Sequence, residues 1–200
     1  MNGDAMDAVR NVRGDDPVVV AEYNPDWPRQ FEVEAKKLKA SLGETARAIH
    51  HVGSTAVHGL AAKPVIDVIL EVADVAALDG MAEKFDALGY TPMGEFGIPG
   101  RRFFVKFSPH RSHHLHAFQT GSREVVRHLA FRDYLQRHGR VAREYGELKR
   151  CLAKAFPADR QGYSRGKSEF IGRHEARAVA ELSQGADPVP DGAGLHPLKE

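Results

Sequence analysis

The stretch that decides the fold is residues 51–72, HVGSTAVHGLAAKPVIDVILEV. Its second part, residues 65–72, is almost continuously apolar, which predicts a central β-strand that is covered on both faces. Residues 46–52 predict another strand, and the segment between the two is rich in glycine and small residues, which is typical of a loop. Asp67 interrupts the apolar strand, and a carboxylate in that setting needs a partner. The stretch therefore predicts a strand, a loop and a returning strand that carries a polar group.

The segments on either side of this stretch predict helices. An apolar pattern with helical spacing runs from Trp27 to Leu42 and stops at Gly43. A second helical pattern follows Asp74, which can cap it, and ends at Gly89. We expect the first of these helices to cover one face of the sheet.

The second half of the chain changes from strands to helices. Residues 101–107 and 112–119 predict two strands of a hairpin, and three helical patterns follow residue 121. These patterns predict an α+β fold, with a mixed sheet and flanking helices followed by a helical C-terminal half. The predicted organisation is a flexible leader at 1–16, an α/β core at 17–121, a helical subdomain packed on the core at 122–183, and a disordered tail at 184–200.

Composition excludes several classes of protein. The chain has 28 Lys and Arg against 27 Asp and Glu, so no basic surplus points to nucleic acid. The single cysteine, Cys151, excludes an internal disulfide framework, and its place in a helical pattern predicts an inert core thiol. No apolar run approaches the ~20 residues of a membrane helix, and the first residues lack the apolar core of a signal peptide. We expect a cytoplasmic protein without a membrane partner, and the sequence leaves homo-oligomer formation open.

The Gly53-Ser54 turn and Asp67 form the first candidate site. Backbone N–H groups and a hydroxyl at a glycine-containing turn can hold phosphate oxygens. Asp67 can hold a hard cation such as Mg²⁺, and Lys63 can neutralise phosphate charge. The alternative is a purely structural strand–loop–strand unit with a tight turn and a capping aspartate.

Histidines and basic residues extend this candidate site. His114 and His116 share one face if residues 112–119 form a strand, and together with Asp67 they could bind Zn²⁺ or Mn²⁺. The alternatives are neutral, hydrogen-bonded histidines that line a polar cleft or contacts to phosphate. Arg102 and Lys106 share a face of the preceding strand and are either triphosphate contacts or solvated charges.

Several motifs together resemble the GrpB family over residues 18–180. They are HHVGSTAVHGLAAKPVIDVILEV at 50–72, YNPDW at 23–27, HHLHAF at 113–118, FRDYL at 131–135, EYGELKR at 144–150, and Tyr163, Lys167 and Phe170. The resemblance implies the nucleotidyltransferase fold of the DNA polymerase beta-like superfamily, and some relatives are fused to dephospho-coenzyme A kinase. The superfamily pattern places a second acid where this chain has Ile69, so His116 or Glu71 would have to compensate for it. His58 stands where the family usually has proline.

The expected function is divalent-metal-dependent transfer of a nucleotidyl group to an unidentified small molecule, first of all the adenylyl group of ATP. The related expectation is ATP-dependent activation of that molecule, as a ligase would perform it. Mg²⁺ or Mn²⁺ is expected in preference to Zn²⁺. The alternative is a non-catalytic module that binds a nucleotide or coenzyme. The expected catalytic residues are Asp67, Lys63 and His116, and the expected metal ligands are Asp67, His114 and His116. The expected nucleotide and phosphate contacts are His51, Gly53, Ser54, Thr55, Arg102, Lys106 and Lys167.

Overall fold

The computed structural model of the chain describes residues 17–107 and 110–184. The strands are β1 (Ala48–Val52), β2 (Ile66–Val72), β3 (Tyr90–Pro92), β4 (Arg102–Phe107) and β5 (Arg111–Gln119). The α-helices are α1 (Trp27–Leu42), α2 (Ala82–Ala87), α3 (Arg123–Arg137), α4 (Gly139–Ala155) and α5 (Arg160–Gln184). Short 3₁₀ turns occur at Gly43–Thr45, Ser54–Ala56 and Ala76–Met81.

The strands form one mixed sheet in the order β1-β2-β5-β4-β3. Strands β2 and β5 run parallel, and the other neighbouring pairs are antiparallel. Val68, Ile69 and Leu70 of β2 are fully buried, since helices cover both faces of this strand. The predictions of a central covered strand and of an α+β fold with a helical C-terminal half are confirmed.

Helices pack on both faces of the sheet. Leu38 of α1 and Phe85 of α2 join Leu70 in an apolar cluster on one face. Val125 of α3 packs with Ile69 on the opposite face. The three C-terminal helices share a further cluster, which includes Ala130, Tyr134, Leu135, Ala142, Tyr145, Phe170 and Ala178. The face that carries Asp67 is therefore the one that meets the C-terminal helices.

The structure differs from the sequence-based expectations in several details. The segment after Asp74 is a 3₁₀ turn followed by the short helix α2, rather than one helix, and the Asp74 carboxylate accepts a hydrogen bond from the Ala76 N–H. Strand β3 is an addition to the predicted strands, because three residues are too few for a recognisable alternation. Cys151 is exposed, so the expectation of a core thiol is wrong. The buried face of α4 runs through Ala142, Tyr145, Gly146 and Lys149 instead.

Some expectations fall outside the described residues. The predicted leader at 1–16 and positions 185–200 of the predicted tail lie there, as do residues 108 and 109 of the hairpin turn. Gln184, the first residue of the predicted tail, is the last residue of α5. Within the described part of the chain, no helix combines the length and the apolar character needed to cross a membrane.

Candidate anion and cation site

A cavity of about 370 Å³ lies between the sheet and the C-terminal helices. Strands β2 and β5 and the 53–55 turn line one side, and α3, α4 and α5 line the other. This volume lies within the usual range for small-molecule sites. The cavity is therefore the candidate functional site, and its chemistry follows from the side chains that each element directs into it.

Gly53 allows the turn to approach Asp67 closely. The register pairs Val52 of β1 with Asp67 of β2, so the chain turns directly beside the carboxylate. Gly53 has φ +70° and ψ −168°, a backbone region that is essentially restricted to glycine. A Cβ atom at this position would collide with Asp67 Oδ2. Glycine is thus required here both by the backbone conformation and by the neighbouring carboxylate.

Asp67, His114 and His116 form a cluster on the cavity wall. His114 Nδ1 donates to Asp67 Oδ1 at 3.0 Å, and His116 Nε2 lies 4.0 Å from the same oxygen. Burial alone would raise the pKa of Asp67, but the hydrogen bond from His114 and the proximity of His116 outweigh this effect and hold the pKa well below its ordinary value. One potential ligand atom from each residue lies within 4.8 Å of the others. The carboxylate is therefore ionised at neutral pH and could contribute to binding a cation.

Lys149 of α4 faces the Gly53-Ser54 turn from the other side of the cavity. Its Nζ donates to Ser54 Oγ at 2.8 Å and lies 4.3 Å from the ring centroid of Tyr145. The residue is only 2% exposed. Burial, together with the charges of Lys167 and Arg150, lowers the pKa of Lys149 to about 6. Lys149 is therefore largely neutral at pH 7 in the free protein.

Two further lysines of the cavity lie near the ring of Tyr163. Lys63 Nζ and Lys167 Nζ lie 5.6 Å and 4.6 Å from the centroid of the Tyr163 ring, within the distance range of cation–π contacts. Burial, and then the charge of Lys63, lowers the pKa of Lys167 to about 8, and burial also lowers the pKa of Lys63. Burial makes the protonated form of each lysine unfavourable. An anion that entered the cavity would offset this effect, because it would stabilise the protonated form.

The cavity carries a surplus of basic groups. Among the described residues that line it, the basic side chains other than histidine are Lys63, Arg127, Arg132, Lys149 and Lys167, and the acidic ones are Asp67 and Glu175. Arg127 already binds Glu175 at 2.7 Å. A cleft lined by one sign of charge attracts ligands of the opposite sign. The arrangement suits a polyanion that also carries a cation at Asp67.

The structure brings most of the predicted site residues together. Those that line the cavity are Gly53, Ser54, Thr55, Lys63, Asp67, His114, His116 and Lys167. The catalytic, metal-binding and phosphate-binding roles assigned to these residues remain predictions. Glu71 does not take the place of the missing second acid, since its carboxylate binds His50 at 2.7 Å and the Gly121 N–H at 3.1 Å.

Arg102 and Lys106 lie on the other face of the sheet. The register pairs Phe103 with His116 and Val105 with His114, so alternation turns the two basic residues away from the cavity. Arg102 pairs with Asp79 at 2.6 Å, and Lys106 pairs with buried Glu34 at 2.8 Å. The two residues share a face as predicted, but the expectation that they contact phosphate in this cavity is wrong.

His51 supports the turn instead of lining the cavity. Its ring stacks on Phe31 at a centroid distance of 4.8 Å, and its Nε2 lies 3.0 Å from Thr55 Oγ1. Burial lowers the pKa of His51 to about 4, so the ring is neutral. Its backbone carbonyl accepts a hydrogen bond from Arg132. The expected direct contact between the His51 ring and phosphate is therefore replaced by a structural role.

Sequence reasoning missed several residues of the helical wall: Arg127, His128, Tyr145, Lys149 and Glu175. Lys149 carried a recognisable signal, since it lies four residues after Tyr145 on the otherwise buried face of α4. A lysine at such a position requires either a partner or a ligand. The other missed residues lie on half-polar helix faces that give no such signal.

The fold and the cavity define a class of protein: an α+β protein in which a Gly-Ser turn and a strand carboxylate face lysines from C-terminal helices. Comparison with known sequences then identifies the family, since the family described as GrpB protein matches residues 17–177. The chain belongs to the GrpB family.

Individual relatives agree with this assignment. The chain is 43% identical to UPF0157 protein YqkA of Bacillus subtilis over 80% of its own length and 47% of that protein, so it spans about half of this relative. It is 39% identical to UPF0157 protein PA4798 of Pseudomonas aeruginosa, over 83% of this chain and 69% of that protein. The crystal structure of conserved protein GrpB from Enterococcus faecalis has a TM-score of 0.79 and 42% identity, and the match covers 82% of this chain and 99% of that one.

Proposed function

We propose that this protein binds a nucleoside triphosphate together with Mg²⁺ or Mn²⁺ and transfers its nucleotidyl group, adenylyl in the case of ATP, to a small-molecule acceptor. The observation that carries the proposal is that one cavity joins an ionised carboxylate to three lysines. Mg²⁺ is typically bound by one or two carboxylates plus substrate phosphates. The same cavity is also lined by more basic than acidic side chains, which favours a triphosphate.

The proposed roles follow from position. Ser54 and Lys149, which are joined by a hydrogen bond, hold the triphosphate at the Gly53-Ser54 turn. Lys63 and Lys167 lie beside Tyr163 and stabilise the negative charge that moves to the leaving pyrophosphate. Asp67 would hold the cation, which would supply positive charge beside the phosphate groups. Phosphoryl-group chemistry depends mainly on such positioning and charge stabilisation.

A second candidate function is binding of a nucleotide or coenzyme without reaction. The observation that favours it is Ile69, which is fully buried two residues after Asp67, where a second carboxylate would complete a two-metal site. With one carboxylate, the cavity can still neutralise and hold a polyphosphate. The two functions differ in whether the bound nucleotide is cleaved.

Replacement of Asp67 by asparagine tests the cation site. We expect ATP with Mg²⁺ or Mn²⁺ to raise the melting temperature of the wild type by about 5–11 °C at a hundred times Kd. The asparagine amide lacks the charge that holds the cation, so the metal-dependent part of this shift should disappear in Asp67→Asn. Thermal melts with ATP alone, metal alone and both together measure it.

Asp86→Asn is the matched control, because Asp86 is an exposed acid on α2. The control should keep the full shift. A metal-dependent shift that survives in Asp67→Asn contradicts the proposed cation site.

A separate assay distinguishes the two candidate functions. Pyrophosphate release from ATP in the presence of pooled carboxylic acids, amines and alcohols supports transfer, whereas binding without release supports the non-catalytic module.

A further inference from the structure

Arg101 is held rigidly beside the candidate cation site. It is 5% exposed, and its guanidinium lies 4.8 Å from the centroid of the Phe103 ring. Its Nε donates to the Glu95 carbonyl at 3.1 Å and its Nη2 to the Phe96 carbonyl at 2.7 Å. The remaining nitrogen, Nη1, lies 3.2 Å from His116 Nδ1. The guanidinium therefore reaches His116 in a fixed orientation.

This contact determines which His116 nitrogen carries the proton. A guanidinium has five N–H donors and no acceptor, so His116 Nδ1 must accept and must be unprotonated. A neutral imidazole then carries its proton on Nε2. That nitrogen is the one that faces Asp67 Oδ1, at 4.0 Å. His116 thus presents an N–H group, rather than a lone pair, to the place where a cation would bind.

We infer that Arg101 is a positioning residue that fixes the His116 tautomer and thereby withholds His116 from metal coordination. A histidine that binds a metal usually donates its other ring N–H to a carboxylate, a carbonyl or water. The contact between Arg101 and His116 is the reverse of that arrangement. His116 could become a ligand only if it lost the Arg101 hydrogen bond or gave up its one ring proton to become an imidazolate. Of the three clustered residues Asp67, His114 and His116, only Asp67 and His114 are therefore available as metal ligands.

His114 differs from His116 in this respect. Its Nδ1 donates to Asp67, while its Nε2 is buried and has no hydrogen-bond partner among the described residues. The contact with Asp67 holds the proton on Nδ1 in the free protein, but a cation that bound Asp67 would take the place of this contact, and no basic group in that part of the chain blocks Nε2, so the proton could move to Nε2 and leave Nδ1 free. Asp67 and His114 then supply two ligands. Zinc sites in proteins usually need at least three protein ligands, whereas Mg²⁺ completes its shell with phosphate oxygens and water.

Arg101 accordingly determines metal specificity, and this inference rests only on the cation half of the proposed function. We expect Arg101→Met to release His116 and to create a three-ligand site for Zn²⁺ or Co²⁺. The affinity for these ions should increase on the order of 10–100-fold, the size of effect that residues behind metal ligands usually have. The affinity for Mg²⁺ should change much less, because Mg²⁺ does not favour imidazole ligands.

The experiment has two readouts in the 200-residue chain. Nitrogen-15 NMR of the imidazole rings at pH 7.5 reports the His116 tautomer without any metal or nucleotide, and titration with Co²⁺ alone reports tetrahedral coordination by its visible absorption. The wild type should show the Nε2–H tautomer of His116 and weak Co²⁺ absorption. Arg101→Met should show mixed tautomers and a strong tetrahedral band. Arg102→Met is the control, since Arg102 lies on the other face of the sheet.

Two outcomes would overturn the inference. One is a wild-type His116 that carries its proton on Nδ1, and this result does not depend on whether any variant folds. The other is an Arg101→Met protein whose Co²⁺ gain survives in the double variant Arg101→Met/His116→Ala, which would assign the gain to lost positive charge. Failure of ATP to bind would contradict the proposed function but would leave the tautomer result standing, so the two ideas fail separately.

Discussion

Replacement of Lys149 by methionine is expected to stabilise the free protein and to remove most of its affinity for a polyphosphate. Lys149 is buried, and burial is the main cause that lowers its pKa from 10.5 to about 6. A tenfold change in an acid dissociation constant corresponds to about 1.36 kcal/mol. Methionine retains the length of the side chain without the cost of burying an amine. We expect a gain on the order of 2 kcal/mol, or roughly 4–8 °C in melting temperature.

The stability gained by Lys149→Met should decrease as the pH rises. Between pH 6 and pH 10.5 the unfolded chain holds the Lys149 proton and the folded chain does not, so this lysine makes wild-type stability rise with pH. The advantage of Lys149→Met should therefore be largest at and below pH 6 and should shrink toward pH 10. Denaturant unfolding of both proteins at several pH values measures it.

The Lys149→Met replacement should weaken polyphosphate binding, although it stabilises the free protein. A polyphosphate beside Ser54 favours protonated Lys149, so binding to the wild type at pH 7.5 should take up about one proton. Calorimetry in two buffers of different ionisation enthalpy measures this uptake, with inorganic triphosphate as the probe. Lys149→Met should bind about 10–150-fold more weakly, the usual worth of a charged hydrogen bond.

Lys154→Met is the matched control, because Lys154 is exposed near the end of the same helix. It should change neither stability nor triphosphate binding appreciably. If Lys149→Met binds triphosphate as tightly as the wild type, the proposed anion site is wrong. If it is less stable than the wild type at pH 6, the burial cost assigned to Lys149 is wrong.

Replacement of Gly53 by alanine is expected to destabilise the protein and to disrupt the cation site at once. The backbone conformation at Gly53 costs a residue with a Cβ atom about 1–3 kcal/mol. The new Cβ also collides with Asp67 Oδ2, and overpacking of this kind costs about 1–3 kcal/mol. We expect a loss of about 2–6 kcal/mol, measured by denaturant unfolding, together with loss of the metal-dependent ATP shift.

Two further variants separate these causes. Gly59 has φ +75° and would have no neighbouring atom within 4 Å of an added Cβ, so Gly59→Ala carries positive-φ strain without a collision. It should cost less than Gly53→Ala and should keep the metal-dependent shift. In the double variant Gly53→Ala/Asp67→Ala the collision with the Asp67 carboxylate is removed, so the two losses should be less than additive. Strict additivity would show that Gly53 and Asp67 do not interact.

The features that local periodicity and turn chemistry specify were predictable from the sequence alone. Apolar continuity identified β2, and alternation placed His114 and His116 on one face of β5. The Gly53-Ser54 turn follows β1 and Asp67 lies on the next strand, so their proximity follows from a strand that returns beside its predecessor. Each of these inferences depends on residues close together in the chain, where the repeat of a strand fixes the direction of side chains.

The tertiary structure alone decided which distant residues complete the site. Alternation gave Arg102 and Lys106 a common face, but only the pairing of β4 with β5 shows that this face points away from the cavity. Lys149 lies 95 positions from Ser54, and packing of α4 against the turn brings them together. Arg101 immediately precedes β4 and contacts His116 of the neighbouring strand β5, 15 positions along the chain. Strand registers and helix packing bring these residues together through interactions of the whole core, which no local pattern in the sequence records.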